Sequence, residues 1–288
     1  MILLNKTFSC LVLNKLILWP VTFRIGFLIC LISSSICPQV IGTTLKIEKT
    51  EELTPALEQQ TNTSTDIRPF KLGEKLVYRI SYLETIEAGT AHLDVTSGGS
   101  KYSKLFRLRL KAKSSLAINS IYQLNFEYLS IFDLKLGSSR EYRKYLRETK
   151  KIVRESMTFN PQQGIATLAN KKKELKRIPV ELGTQDPVSA LYFLRTLQLK
   201  PGLRIIIPVI EGESIYQVHI KVLGNELISN SIGGFLVHKV EAVIKLGQNF
   251  LNNKKITFWF TRDQRKIPVL ASVSLAFGSV LVELVEMT

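Results

Sequence analysis

The sequence predicts a mainly β protein, in which a curved antiparallel sheet (an open or half barrel, or a sandwich) packs around one α-helix. Three observations predict this fold. From Phe70 onward, apolar and polar residues alternate over many short segments, which is typical of antiparallel strands with one solvent-exposed face. Glycine- and proline-containing turns separate these segments at short spacing. One stretch, Asp186–Leu199, has instead the features of a buried helix.

The predicted helix has clear start and stop signals. Asp186 is a suitable N-cap because its carboxylate can accept hydrogen bonds from unpaired backbone N–H groups. Pro187 fits the first helical position, and Pro201 with Gly202 ends the helix. Apolar residues surround most of its axis, so we expect the sheet to cover it on most sides. The alternative is a surface helix lying on one face of a sheet.

The strand predictions rest on alternation. In the first segment Leu76, Tyr78 and Ile80 are expected to point inward, whereas Val77 and Arg79 point outward. The predicted strands are Glu74–Tyr82, Thr90–Val95, Leu105–Lys113, Tyr122–Phe132, Glu141–Arg147, Ile152–Phe159, Ile165–Ala169, Ile178–Leu182, Leu203–Ile210, Ser214–Leu223, Phe235–Lys245, Lys255–Thr261, Pro268–Ala276 and Val280–Val285.

The N-terminal region has the composition of an export signal. Basic residues without acidic ones precede the compact apolar run Ile25–Ile36, and we expect cleavage near Gly42. An uncleaved anchor is the alternative, although the run is short for a membrane span of ~20 residues. A lipoprotein signal is disfavoured because the residue directly before Cys30 and before Cys37 is an isoleucine, where a small residue is expected. We therefore predict a signal peptide or anchor at 1–42, a flexible linker at 43–68 and a single β-rich domain at 69–288.

Composition limits the classes of function. All cysteines lie at or before Cys37, so the predicted domain has no disulfide, cysteine-based metal site or thiol nucleophile. His92, His219 and His238 stand alone on predicted strands, and no P-loop, G-x-S-x-G or H-E-x-x-H motif is present. Glu84 and Glu87 fit a solvated turn better than paired acid–base catalysts. We expect a protein that is not an enzyme and needs no cofactor.

The charge pattern suggests a binding surface. The chain of 288 residues has a formal net charge of +15, which favours anionic partners. Basic residues concentrate between Arg140 and Arg177, and a charged face that protects edge strands is the alternative interpretation. The predicted contacts to an anionic surface are Arg140, Arg143, Lys144, Arg147, Lys171, Lys172, Lys173, Lys176 and Arg177. For an exported protein the partners would be lipid, lipopolysaccharide or envelope proteins; we expect neither nucleic acid nor a membrane span in the mature chain.

Several short motifs resemble one family. These are Phe70-x-x-Gly73-Glu74-x-Leu76-x-Tyr78, Gly89-x-Ala91-x-Leu93-x-Val95, Asp186-x-x-Ser189-Ala190-Leu191-Tyr192-x-Leu194-Arg195, and Thr261-x-Asp263-x-x-Arg265 before Pro268-Val269 as that family's late hairpin. In this order they resemble a bacterial exported family catalogued as domain of unknown function 3108. The resemblance implies a β-rich envelope protein and no activity. A looser likeness to lipoprotein-carrier half barrels concerns fold alone.

Three hypotheses follow. The first is a non-enzymatic exported protein, periplasmic or associated with the outer membrane, that binds an apolar or amphipathic ligand between sheet and helix or contacts an anionic envelope surface. Its ligand pocket would require a cavity of roughly a few hundred Å³. The second is a structural or assembly module that docks envelope proteins through sheet edges or the basic face. The third is a hydrolase, which would require a His or Glu beside a Ser in a concave site.

Overall fold

The computed structural model describes residues 69–99, 104–120, 122–149, 151–169, 174–246, 249–275 and 278–288. The predicted signal or anchor at 1–42, the predicted linker at 43–68 and Lys171–Lys173 lie outside the described residues. In the part of the chain that is described, no helix is both long enough and apolar enough to cross a membrane.

The described residues form a 14-stranded sheet in which every named pair of neighbouring strands is antiparallel. The first eight strands are β1 (Lys75–Tyr82), β2 (Ile86–Ser97), β3 (Leu105–Ser114), β4 (Leu124–Asp133), β5 (Ser138–Glu148), β6 (Lys151–Asn160), β7 (Ile165–Ala169) and β8 (Leu175–Pro179). The others are β9 (Arg204–Glu211), β10 (Ser214–Asn230), β11 (Gly233–Leu246), β12 (Asn249–Thr261), β13 (Pro268–Leu275) and β14 (Gly278–Met287).

Strand order follows the chain with one long-range junction. The order is β8 to β1 and then β14 to β9, so β1 pairs with β14 and the two sheet edges are β8 and β9. Leu76, Tyr78 and Ile80 of β1 are buried as predicted, while Arg79 is exposed. The same alternation runs through β3, so one face of the sheet forms a continuous apolar core. The predicted mainly β fold, with its curved antiparallel sheet, is confirmed.

The described residues also form two short helices: α1 (Leu116–Asn119) and α2 (Pro187–Thr196). The second is the predicted one, with Asp186 as N-cap and Pro187 at its start. Asp186 accepts hydrogen bonds from the backbone N–H of Val188 (2.8 Å) and Ser189 (3.0 Å). Helix α2 ends at Thr196 rather than continuing to Leu199, and it contacts β3, β4, β5 and β9.

Two local predictions were wrong, and one helix was missed. Strand β8 spans Leu175–Pro179, not Ile178–Leu182, because this sheet edge buries only Ile178 and gives little hydrophobic pattern. Strand β10 continues past Leu223 through a bulge near Gly224 to Asn230. The short helix α1, capped by Ser115, was not predicted.

The open edges of the sheet are brought together by other contacts. The segment that enters α2 pairs with edge strand β9: Gln185 N–H donates to Pro208 O and Ile210 N–H donates to Gln185 O, both at 2.9 Å. The turn between β9 and β10 carries Glu213, which binds Lys176 of β8 at 2.5 Å. These contacts close the sheet around α2 without a backbone ladder between β8 and β9.

Candidate functional site

An apolar cavity lies between α2 and the sheet. The helix contributes Pro187, Ala190, Leu191 and Leu194 to its wall. The rest of the wall comes from β1–β3 and β9–β14, including Val209, Ile220, Ala242, Phe258, Ala271 and Val282. Among the described residues that line this wall, only Tyr78 is ionisable, and its hydroxyl donates to Pro268 O at 2.9 Å. The lining therefore presents hydrocarbon to an occupant.

The size of the cavity restricts what it can hold. Its volume is about 110 Å³, below the roughly 300–1,000 Å³ of pockets for drug-sized ligands. The expectation of a few hundred Å³ is therefore not met, because side chains from nine strands converge on the helix. An apolar cavity of about 150 Å³ in another protein holds a benzene molecule. A small ring or a short alkyl chain fits this volume, and a complete lipid does not.

Next to the cavity, the inner face carries a buried polar cluster, which we define as Tyr128, Tyr142, Lys144, Glu155 and Glu211. Glu211 Oε1 accepts from Lys144 Nζ at 2.5 Å and from the Tyr128 hydroxyl. The Tyr142 hydroxyl accepts from the N–H of Gly212 at 3.1 Å. These contacts attach the turn after β9 to strands β4 and β5.

Two carboxylate oxygens in the polar cluster are buried without a hydrogen-bond partner among the described residues: Glu211 Oε2 and Glu155 Oε2. Burial raises the pKa of Glu155; the charge of Lys144 opposes that rise and the charge of Glu211 adds to it. Burial also raises the pKa of the Tyr142 phenol, as does the charge of Glu211. A buried acceptor without a donor is costly, and such oxygens often mark a place where water or a ligand binds.

A second buried polar group lies at the end of α2. Arg195 is 1% exposed, and its guanidinium forms two hydrogen bonds with the Glu74 carboxylate, at 2.6 and 2.8 Å. It also donates to the carbonyls of Pro69 and Arg265. The rings of Phe70 and Tyr192 lie beside it. The Arg195 guanidinium therefore has hydrogen-bond partners on three residues. Through them it joins helix α2 to the chain before β1 and to the β12–β13 turn.

The predicted anionic-surface residues do not all lie on one surface. The prediction that Lys144 contacts an anionic surface was wrong. Its residue is 4% exposed and points inward with Tyr142 and Leu146, so it cannot contact a surface outside the protein. Arg140 binds Asp133 Oδ2 through Nε (3.0 Å) and Nη2 (2.9 Å). Lys176 lies on edge strand β8, where it binds Glu213. Alternation along β5 was a signal that could have placed Lys144 inside.

The other described members, Arg143, Arg147 and Arg177, are exposed. Arg143 and Arg147 share the outer face of the sheet with cations of neighbouring strands, since residues paired in register lie on the same face. We call this set the outer basic face: Arg107, Arg109, Lys111, Lys113, Arg143, Arg147 and Arg154. Glu127 and Glu141 lie on the same face and bind Arg109 and Arg143, each at 2.6 Å. The β3 members were missed as site residues because they were read only as an outward strand face.

The described residues contain no cluster of three or more side chains suited to hold a metal ion. His238 Nδ1 lies 2.7 Å from Asn225 Oδ1, and His219 lies on β10. No curated protein matches this chain in sequence. The profile of the family described as "Protein of unknown function (DUF3108)" matches residues 77–285, which is more than half of the chain.

The chain belongs to the DUF3108 family.

In this DUF3108 member, the motifs that carried the resemblance meet at one end of the sheet. Arg195 binds Glu74 and Arg265 O, and Tyr78 binds Pro268 O. Phe70 and Glu74 lie before the matched range, although they complete this contact set. The motif residues therefore contact one another and join the start of β1, helix α2 and the β12–β13 turn.

Solved structures resemble this DUF3108 member in fold. A β-barrel-like protein of the DUF1849 domain of unknown function from Brucella abortus matches with a TM-score of 0.53 and 11% identity, over 75% of this chain and 97% of that chain. A hypothetical protein from Chlamydia trachomatis matches with 0.36 and 10%, over 76% and 87%. A candidate exported protein with a YmcC-like fold from Bacteroides fragilis matches with 0.32 and 8%, over 76% and 97%. Of these three likenesses, the first alone has a TM-score above 0.5, and at 11% identity it shows a similar fold and nothing more.

Proposed function

We propose that this DUF3108 member is a non-enzymatic exported protein that binds a small apolar or amphipathic ligand between α2 and the sheet. The hydrocarbon wall of the cavity carries this proposal, since the phenol of Tyr78 in that wall already has an acceptor. The volume of about 110 Å³ is below the few hundred Å³ expected, so the proposal is restricted to a small ring or a short alkyl chain. Burial of apolar surface supplies about 25 cal/mol per Å² for such a ligand. Export is supported by the basic and apolar N-terminal sequence before Gly42.

Benzene is a suitable probe, because its size matches a cavity of this volume. Binding to the folded state raises the free energy of unfolding by RT ln(1 + [L]/Kd), so the melting temperature rises with ligand concentration. We expect benzene to raise the melting temperature of the wild type. Ala271→Leu, which places a larger side chain into the cavity, should abolish this rise. Ser274→Leu is the matched control, since Ser274 lies on the same strand and is exposed.

An unchanged melting temperature of the wild type in saturating benzene would contradict the proposal. A rise that persists in Ala271→Leu would place the benzene elsewhere, with the same consequence.

A second candidate function is contact with an anionic surface through the outer basic face. The observation that favours it is the exposure of five basic side chains on β3 and β5, the two strands that flank β4: Arg107, Arg109, Lys113, Arg143 and Arg147. Glu127 and Glu141 are the acidic residues that oppose them on this face. Each basic residue near an anionic membrane contributes about 1 kcal/mol of attraction. Such attraction weakens as the salt concentration rises, because dissolved ions screen the interaction between exposed charges. At 0.1 M salt the screening length is about 10 Å.

Sedimentation with lipid vesicles tests this second function. We expect the protein to pellet with phosphatidylglycerol vesicles and not with phosphatidylcholine vesicles. The double variant Lys113→Glu/Arg147→Glu should remain in the supernatant, because it reverses two neighbouring charges of the outer basic face. The two residues are neighbours across β4, since Asn125 pairs with both positions. The control Arg204→Glu/Lys221→Glu changes charge equally in the β9–β10 hairpin. Equal pelleting of both variants would show that the outer basic face is not the contact surface.

A further inference from the structure

The polar cluster continues one row of the cavity wall across the sheet. Strand register places Leu93 opposite Leu110, Leu110 opposite Tyr128, Tyr128 opposite Lys144 and Lys144 opposite Glu155. The first two residues line the cavity, and the last three belong to the polar cluster. Neighbouring strands are spaced about 4.8 Å apart, so Tyr128 lies one strand beyond the cavity wall.

Edge strand β9 leads to the same place from the other side. Val209 lines the cavity, and Glu211 follows it on the same face, about 7 Å further along the strand. Tyr216, the inward residue of β10 that pairs with Val209, is also buried. The polar cluster and the hydrocarbon wall are therefore two ends of one internal surface.

Two carboxylate oxygens of the polar cluster accept no hydrogen bond from the described residues. Glu211 Oε1 takes both donors, Lys144 and Tyr128, while Glu211 Oε2 has no partner within the described part of the chain, although the side chain is 2% exposed. Glu155 Oε2 is buried without a partner too, and its residue pairs in register with Lys144. The cluster thus holds two buried carboxylate oxygens that are available to accept a hydrogen bond from a donor.

We propose that the polar cluster binds the hydrogen-bond-donating head group, a hydroxyl or a protonated amine, of an amphipathic ligand whose alkyl part occupies the cavity. This inference rests on the proposed function and adds the ligand class. A carboxylate head group is disfavoured, because it would bring a third acid beside Glu155 and Glu211 with Lys144 already engaged by Glu211. The small cavity limits the alkyl part to a short chain.

Three ligands of equal chain length test the head-group preference: hexylamine, hexanol and hexanoate, measured by calorimetry at pH 7. We expect hexylamine and hexanol to bind at least tenfold more tightly than hexanoate. Glu155→Gln should reduce the advantage of hexylamine over hexanoate, because the amide removes one acid from the cluster. Glu211→Gln should reduce it as well. Glu213→Gln is the matched control, since Glu213 is two residues from Glu211 but exposed and bound to Lys176.

The outcomes separate this inference from the proposed function. If benzene binds while the three hexyl ligands bind equally well, the cavity is a binding site and the head-group inference is wrong. The inference is also wrong if hexylamine keeps its full advantage in both Glu155→Gln and Glu211→Gln. If neither benzene nor any hexyl ligand binds, the proposed function fails and the inference fails with it.

Discussion

Arg195 and Glu74 lie 121 residues apart in the chain and form a buried ion pair with two parallel hydrogen bonds. Their side chains are 1% and 4% exposed. The pair ties the last turn of α2 to the start of β1, and through the Arg265 carbonyl it also reaches the β12–β13 turn. It holds the helix in place inside the sheet.

Removing one partner of this pair should destabilise the fold strongly. In Arg195→Met, the Glu74 carboxylate stays buried without its cation, and breaking such a pair costs about 3–5 kcal/mol. Urea unfolding followed by circular dichroism should show this loss. The double variant Arg195→Met/Glu74→Leu should be more stable than Arg195→Met, because no charge is left buried. A loss below about 1 kcal/mol in Arg195→Met would show that the pair does not hold the helix.

Tyr192 and Tyr78 make a matched comparison of two buried hydroxyls. The Tyr192 hydroxyl is buried near the Arg195 guanidinium but forms no hydrogen bond of good geometry with a described residue, whereas the Tyr78 hydroxyl donates to Pro268 O at 2.9 Å. A buried polar group without a partner costs about 1–3 kcal/mol, and a formed hydrogen bond contributes about 1 kcal/mol. We expect Tyr192→Phe to leave the free energy of unfolding unchanged or raised, and Tyr78→Phe to lower it. The opposite order in urea unfolding would contradict these roles.

The strands could be predicted from the sequence because their signal is local. Alternating burial, as at Leu76, Tyr78 and Ile80, is set by the two-residue repeat of a strand and needs no knowledge of its neighbours. The N-cap Asp186 and Pro187 are local signals too. This is why the strand pattern and the start of α2 were predicted well.

The buried charges could not be predicted in the same way. Lys144 was assigned to an exposed surface, and the burial of Arg195 was not predicted, because their partners lie 67 and 121 residues away. Glu211 reaches Lys144 only because the sheet curves and brings β9 close to β5. Arg195 reaches Glu74 only because α2 lies inside this curved sheet. The cavity depends on side chains from many strands, so no local pattern marks it. The candidate site was thus visible in the sequence only as an excess of apolar inward residues.

Stability should depend on pH through Glu155. Burial raises its pKa above the ordinary value of 4.5, so the folded protein holds this proton more tightly than the unfolded chain. Stability from this group is therefore fully present below pH 4.5 and is lost as pH rises through the folded-state pKa. Glu155→Gln does not lose a proton, so its free energy of unfolding should exceed that of the wild type increasingly as pH rises above 4.5. Urea unfolding at several pH values measures this difference; a constant difference between pH 4 and pH 8 would contradict it.

A larger side chain that points into the cavity should raise the free energy of unfolding, whereas the same enlargement in a packed part of the core should lower it. Ala242 of β11 lines the cavity, whereas Ala166 of β7 is fully buried and does not line it. Ala242→Val adds two methyl groups to empty space, and each buried carbon group contributes about 0.8 kcal/mol. Ala166→Val adds the same groups to a packed core, where overpacking costs about 1–3 kcal/mol. Urea unfolding should therefore show a gain for Ala242→Val and a loss for Ala166→Val. Equal losses in both variants would mean that the space beside Ala242 is not open to a methyl group, and therefore not to a ligand.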